Sequence, residues 1–121
     1  MTMRRQVLGK QGEEAAAEEL ERRGYAIVAR RYRTRHGEID IVARDGETIV
    51  FVEVKAKESA EFGTAAEAVT ARKQRRVMSM AVDYLARNRL TTKPCRFDVV
   101  AIDGFGDDAV LTYYRDAFGE A

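Results

Sequence analysis

The run Thr-Ile-Val-Phe-Val-Glu-Val-Lys at 48–55 constrains this chain more than any other stretch. Ile49, Val50, Phe51 and Val52 are apolar on both faces of an extended chain. That is the pattern of a central strand covered on each side, not of a strand with one wet face. Glu53 and Lys55 then appear inside the same run. A doubly covered strand has no cheap way to hold a carboxylate and an ammonium unless they pair or bind a cation. On most strands a Glu-x-Lys is an ordinary cross-strand or surface charge pair. The apolar surroundings set this one apart.

The flanking segments supply the rest of a fold. Residues 10–23 favour helix, with Ala16, Ala17 and Leu20 on one buried stripe that Gly24 ends. One turn back along the stripe lies Glu13, while Glu14, Glu18 and Glu21 look outward. Extended segments are expected at 25–33, 37–44 and 48–57, with the hairpin signal Asp45-Gly46 between the last two. A polar loop at 58–63 leads to a helix that starts at Thr64 or Thr70 and reaches Asn88. Val77, Met80, Ala81, Tyr84 and Leu85 form its inward stripe, which runs back to Lys73 and Gln74. Pro94 precedes a β-branched strand at 96–102, and a last strand at 109–115 follows a turn at 104–108. The order is αβββαββ. The helical crossover favours parallel pairing of the third and fourth strands, and the short turns require antiparallel neighbours. The expected fold is α/β, a mixed central β-sheet flanked by helices, in one domain over 1–121, a length that one core serves.

Charge is clustered rather than global. The net charge is +1, so any attraction for nucleic acid must come from local patches. Arg30, Arg31, Arg33 and Arg35 form one, and Arg72, Lys73, Arg75 and Arg76 another. A solvated charged face is the plain alternative for either run. The single cysteine, Cys95, excludes an internal disulfide and a cysteine zinc cluster and agrees with a reducing compartment. No apolar run approaches the ~20 residues that span a bilayer, and the first residues lack the apolar core of a signal peptide. A cytoplasmic protein with no membrane partner is expected.

If Asp45 and Gly46 form a two-residue loop, Arg44 lies opposite Glu47 and Asp40 opposite Phe51. Parity then puts Glu38, Asp40, Phe51, Glu53 and Lys55 on one face, with Asp40 diagonal to Glu53 at roughly 7–8 Å. Two such carboxylates suit Mg²⁺ (or Mn²⁺), which takes one or two carboxylates and keeps waters and phosphate oxygens. Lys55 could stabilise charge developing on a phosphate or lower the pKa of an attacking water, and Glu13 could complete the ligand set. His36, the sole histidine, is expected as a solvated turn residue, and Tyr25, Tyr32 and Tyr84 as packing. Asp98 interrupts an apolar strand and suggests only a local hydrogen bond.

The stretches Gly9-Lys10-Gln11-Gly12-Glu13, Gly37-Glu38-Ile39-Asp40-Ile41-Val42-Ala43, Phe51-Val52-Glu53-Val54-Lys55 and Lys73-Gln74-Arg75-Arg76 closely resemble the bacterial YraN-like (UPF0102) family over nearly the whole chain. That family is similar to archaeal Holliday junction resolvases, within the restriction-endonuclease-like group marked by the PD-(D/E)xK pattern. The resemblance makes Asp40 the aspartate of that pattern, Glu53 and Lys55 its Glu-x-Lys, and Glu13 the helix acid of the resolvases. Gln74 matches polar residues that support the site in related nucleases, and Ile39 stands where the pattern's name has proline. The implied function is Mg²⁺-dependent hydrolysis of DNA phosphodiester bonds, at branched or junction structures if the likeness to resolvases extends so far. Such cutting would call for a homodimer with two sites. Asp40, Glu53, Lys55, Glu13 and Gln74 are the expected catalytic set, the first two and Glu13 holding metal. Arg33, Arg35, Arg72, Lys73, Arg75 and Arg76 are the expected nucleic-acid contacts. The rival is a non-catalytic nucleic-acid-binding or assembly module that keeps the fold and its charges. A protein-interaction domain with no nucleic-acid affinity is a third reading.

Overall fold

The computed structural model describes residues 2–58, 63–104 and 106–119, with side chains from residue 11 onward. Helix α1 covers Thr2–Arg22, then strands β1 (Ala26–Thr34), β2 (Gly37–Asp45) and β3 (Thr48–Lys57) follow. Helix α2 (Ala71–Arg87) crosses over to β4 (Cys95–Asp103), and β5 (Val110–Phe118) closes the order, with short 3-10 turns at Ala66–Ala68 and Gly106–Asp108. This is the expected αβββαββ. Most of the loop expected at 58–63 lies outside the described residues.

One five-stranded sheet results, in the spatial order β1-β2-β3-β4-β5. Only β3 and β4 run parallel, the one connection that contains a helix; the other pairs are antiparallel. β3 is thus central, and Ile49, Val50, Phe51 and Val52 are buried on both its faces. Ala16, Ala17 and Leu20 of α1 cover Ile41, Ala43, Val50, Val52 and Val100 on one side. Val77, Met80, Ala81 and Tyr84 of α2 cover Ile39, Val42, Ile49 and Phe51 on the other. Each large side chain so buried contributes about 1.5–3 kcal/mol before entropy is charged. Thr70, not Thr64, starts α2: its hydroxyl accepts the Lys73 N–H at 3.3 Å.

The hairpin register differs from the expected one. Asp45 pairs with Thr48 and Arg44 with Ile49, so Gly46 and Glu47 are the loop residues. Gly46 takes the positive φ (61°) at the loop's first position, where glycine is unstrained. The slip is two residues, an even number, so the face assigned to each β3 side chain survives it. A second departure lies in β1 and β2. Arg30 pairs with Ile41 and Tyr32 with Ile39, skipping Arg31 and Asp40, and Arg31 is left-handed at φ 53°. Ile41 packs under α1 but Ile39 packs under α2. Strict alternation along β2 therefore breaks at Asp40.

Candidate metal and phosphate site

The ladder between β2 and β3 ends at Ile41 and Val52. Beyond it, 37–39 pair only with β1, Asp40 has no strand partner among the described residues, and 53–57 pair only with β4. The sheet forks, and Asp40 and Glu53 are the first residue on each side of the fork. Asp40 would have been directly opposite Glu53 had the ladder continued, closer than the diagonal expected from the sequence. Instead Oδ2 of Asp40 accepts the Val54 N–H at 2.8 Å, replacing a backbone partner. A cleft of about 210 Å³ opens there, lined by Asp40, Glu53, Lys55 and Glu38 from the sheet and by Lys73 and Arg76 from α2.

Asp40 and Glu53 are held against their ionised forms. Glu53 is 8% exposed, and its Oε1 is buried with no hydrogen-bond partner. Burial, then the charge of Asp40, raises its pKa to about 8, against the pull of Lys73, the Asp40 N–H and Lys55. Burial likewise raises Asp40 to about 6; the Val54 N–H opposes the rise, and Glu13 and Glu38 add to it. Burial and the neighbouring Lys73 lower the pKa of Lys55. An orphaned buried carboxylate oxygen beside a second carboxylate fits a hard cation that completes its shell with water and substrate oxygens. Among the described residues no cluster of three or more His, Cys, Asp or Glu is placed to hold a metal ion, so the protein's own donors at the fork are these two.

Glu13 is near enough to act on the charge of Asp40, but its carboxylate is taken by Arg31, Nε to Oε1 at 3.0 Å and Nη2 to Oε2 at 3.2 Å. The left-handed backbone at Arg31 accompanies this fork-to-fork pairing, which the sequence did not signal. Gln74 stands outside the cleft: its Nε2 donates to the Val69 carbonyl at 3.1 Å, and it lines a separate cavity with Val99 and Phe118. Its neighbour Lys73 lines the cleft instead, and the inward stripe of α2 named both. Arg72 and Arg75 are exposed on the first turns of α2, whose first turn carries no acid. Cations at a helix N-terminus work against its dipole and concentrate positive potential there. Arg33 pairs with Glu38 at 3.0 Å, and Arg35 and His36 form the exposed β1–β2 turn.

Asp98 has a structural account. It is fully buried under the α1 side of the sheet, accepting from Arg96 Nε (3.1 and 3.3 Å), the Tyr113 hydroxyl and the Asp116 N–H (2.8 Å). Asp116 is left-handed (φ 53°), at an irregularity where Phe97 pairs with Phe118 but Val99 with Tyr114. The carboxylate anchors this bulge of β5. Arg96 also reaches Asp45 Oδ2 at 2.8 Å.

Fold and site together define a small α/β protein with a buried and a half-buried acid and a lysine at the fork of a mixed sheet. Residues 12–102 match the profile described as "Uncharacterised protein family UPF0102", and the chain belongs to that family. It is 54% identical to UPF0102 protein STH1475 of Symbiobacterium thermophilum over 79% of this chain and 81% of that one. It is 43% identical to a UPF0102 protein of Pelotomaculum thermopropionicum, over 94% and 97%, and 48% identical to one of Ralstonia pickettii, over 92% and 89%. No helix among the described residues is long and apolar enough to cross a membrane.

Proposed function

We propose that this protein is a Mg²⁺- or Mn²⁺-dependent phosphodiesterase acting on DNA. The observation that carries the reading is the buried, unpartnered Oε1 of Glu53 beside Asp40. Asp40 and Glu53 would hold the cation, with Glu13 joining them only by leaving Arg31. A divalent ion so held would supply Lewis-acid polarisation of a phosphate oxygen and acidify water. Lys55, whose ammonium is partly desolvated beside the acids, would stabilise charge developing on the scissile phosphate. The Val54 N–H fixes the Asp40 carboxylate, so one donor is oriented before any ligand arrives. Lys73 and Arg76 at the cleft, and Arg72 and Arg75 beside it, would contact flanking phosphates. With one exposed thiol at Cys95, the reading sets the protein in the reducing cytoplasm. Junction-shaped substrates would require a symmetric homodimer with two such sites.

The test is cleavage of labelled linear, single-stranded, flapped and four-way DNA by the purified chain in Mg²⁺ or Mn²⁺. Parallel reactions use Asp40→Asn and Glu53→Gln. Metal-dependent cutting by the parent, lost in both variants, is expected; equal cutting by parent and variants would sink the mechanism. One observation favours a second reading, a nucleic-acid-binding module without turnover: the engagement of Glu13 by Arg31 leaves two acids rather than three at the fork. DNA binding that persists with no cutting in either metal would select it.

A further inference from the structure

A second and larger concavity, about 850 Å³, runs beside the cleft between the β1–β2 turn and the outer face of α2. Arg33, Arg35 and His36 form its turn side, and Val82, Ala86 and Arg87 part of its helix side. Met80 lines both this groove and the acid cleft, so the two adjoin. Gly37 sits where they meet: a Cβ there would make ordinary contacts, 3.5 Å from Cδ of Arg76 and 3.6 Å from Sδ of Met80.

Two kinds of surface line the groove. The guanidiniums lie along its margins. Arg33 is paired with Glu38 and Arg87 with Asp83, but both arginines are largely exposed, where water screens an ion pair, so a phosphate can replace the carboxylate. Arg35 is in no ion pair among the described residues, its Nε contacting only His36 Nε2 at 3.4 Å. On the helix wall the surface turns apolar: Val82 is 68% exposed, beside the exposed Ala86. A duplex offers phosphates and stacked, inward-facing bases, and has no use for an exposed valine. An unpaired strand offers phosphates on one side and free base faces on the other.

We infer that this groove binds a single, unpaired nucleic-acid strand, phosphates along Arg33, Arg35 and Arg87 and bases against Val82 and Ala86, with the strand continuing over Gly37 toward the acid cleft. The inference rests on the phosphodiesterase reading only for what happens in the cleft. A protein with this groove acts where a strand leaves a duplex, or on a free strand, and not within intact linear duplex.

The test is fluorescence anisotropy of the full chain with labelled oligothymidylate of about 20 nucleotides and with blunt duplex of the same length, in EDTA so that neither metal nor cutting intervenes. The single strand is expected to bind roughly tenfold tighter than the duplex, and Val82→Glu and Arg35→Glu each to weaken it by about fivefold or more. Both side chains are exposed, so the variants should melt with the parent, and Val82→Phe should restore or tighten binding by adding a stacking surface. Duplex bound as tightly as single strand, or single-strand affinity that survives both substitutions, would overturn the groove. Metal-dependent cutting in that case would leave the phosphodiesterase standing without it. A single-strand preference lost in both variants, with no cutting of any DNA, would keep the groove and remove the hydrolase. No binding of either probe and no cutting would overturn both.

Discussion

At Glu53 the folded protein keeps a proton that an unfolded chain releases near 4.5. Because the folded pKa is raised to about 8, stability of the metal-free protein is fully present below pH 4.5 and declines as pH climbs to about 8. Asp40 adds a decline in the same sense between 3.8 and about 6. Glu53→Gln removes the larger part of this penalty. In EDTA at pH 8.5 its Tm should exceed the parent's by roughly 5 °C or more, and the gap should close by pH 4.5. Adding Mg²⁺ or Mn²⁺ at pH 8.5 should raise the parent's Tm, by an amount equivalent to about 2.7 kcal/mol at a hundred times Kd, and leave the variant's unmoved. Calorimetry across that pH series would overturn the account of the site if the parent were the more stable protein in EDTA at high pH. Asp98 presents the opposite case, a buried acid fully partnered. Asp98→Ala leaves Arg96 Nε, the Tyr113 hydroxyl and the Asp116 N–H without their buried acceptor, with Asp45 the one acid left on a guanidinium whose Nη2 already lacks a partner, and should cost about 3–5 kcal/mol in urea denaturation. A loss under 1 kcal/mol would mean that the Arg96 charge finds water.

Element by element, the sequence announces its periodicities but not its irregularities. The apolar run of β3, the stripes of both helices and the parallel β3–β4 pairing all follow from spacing and connection length, and so does the gathering of Asp40, Glu53 and Lys55. The register lies two residues from the one that Asp45-Gly46, a common turn pair, suggests, because here Gly46 and Glu47 turn the chain. The fork, the left-handed Arg31 and its hold on Glu13 have no periodic signature, being set by tertiary contacts across 18 residues of sequence. Lys73 and Gln74 were separable only by rotational phase, since one residue on a helix turns the side chain by about 100°. One element carries a further expectation. Gly12 is in α1, where a Cβ would lie 3.5 Å from Ala56 Cβ and Ile102 Cδ1, an ordinary contact. Gly12→Ala should therefore stabilise, by about 0.5–1 kcal/mol through helix propensity, as thermal or urea denaturation would register. Destabilisation would show that α1 needs to sit closer to β3 than the contact distances say.

For the molecule as a whole, a net charge of +1 leaves binding to the arrangement of charge. Arg72 and Arg75 stand exposed where α2 opens its positive end toward the acid cleft. The double substitution Arg72→Glu, Arg75→Glu should weaken DNA binding at low salt and lower the slope of log K against log salt by about one per lost phosphate contact, with no change in Tm. An unchanged salt slope would take these arginines out of the interface. The sheet has a liability of its own, since β1 and β5 are its two edges and each presents an unpaired row of backbone donors and acceptors. Neither row is straight. β1 is interrupted near Val28 and again at Arg31, and β5 swells outward through Asp116, whose N–H the buried Asp98 carboxylate has withdrawn from any ladder. An incoming strand from another molecule would meet a twisted template instead of a flat one. The carboxylate that looks like a flaw in the strand pattern of β4 thus also helps keep neighbouring molecules from zipping together edge to edge.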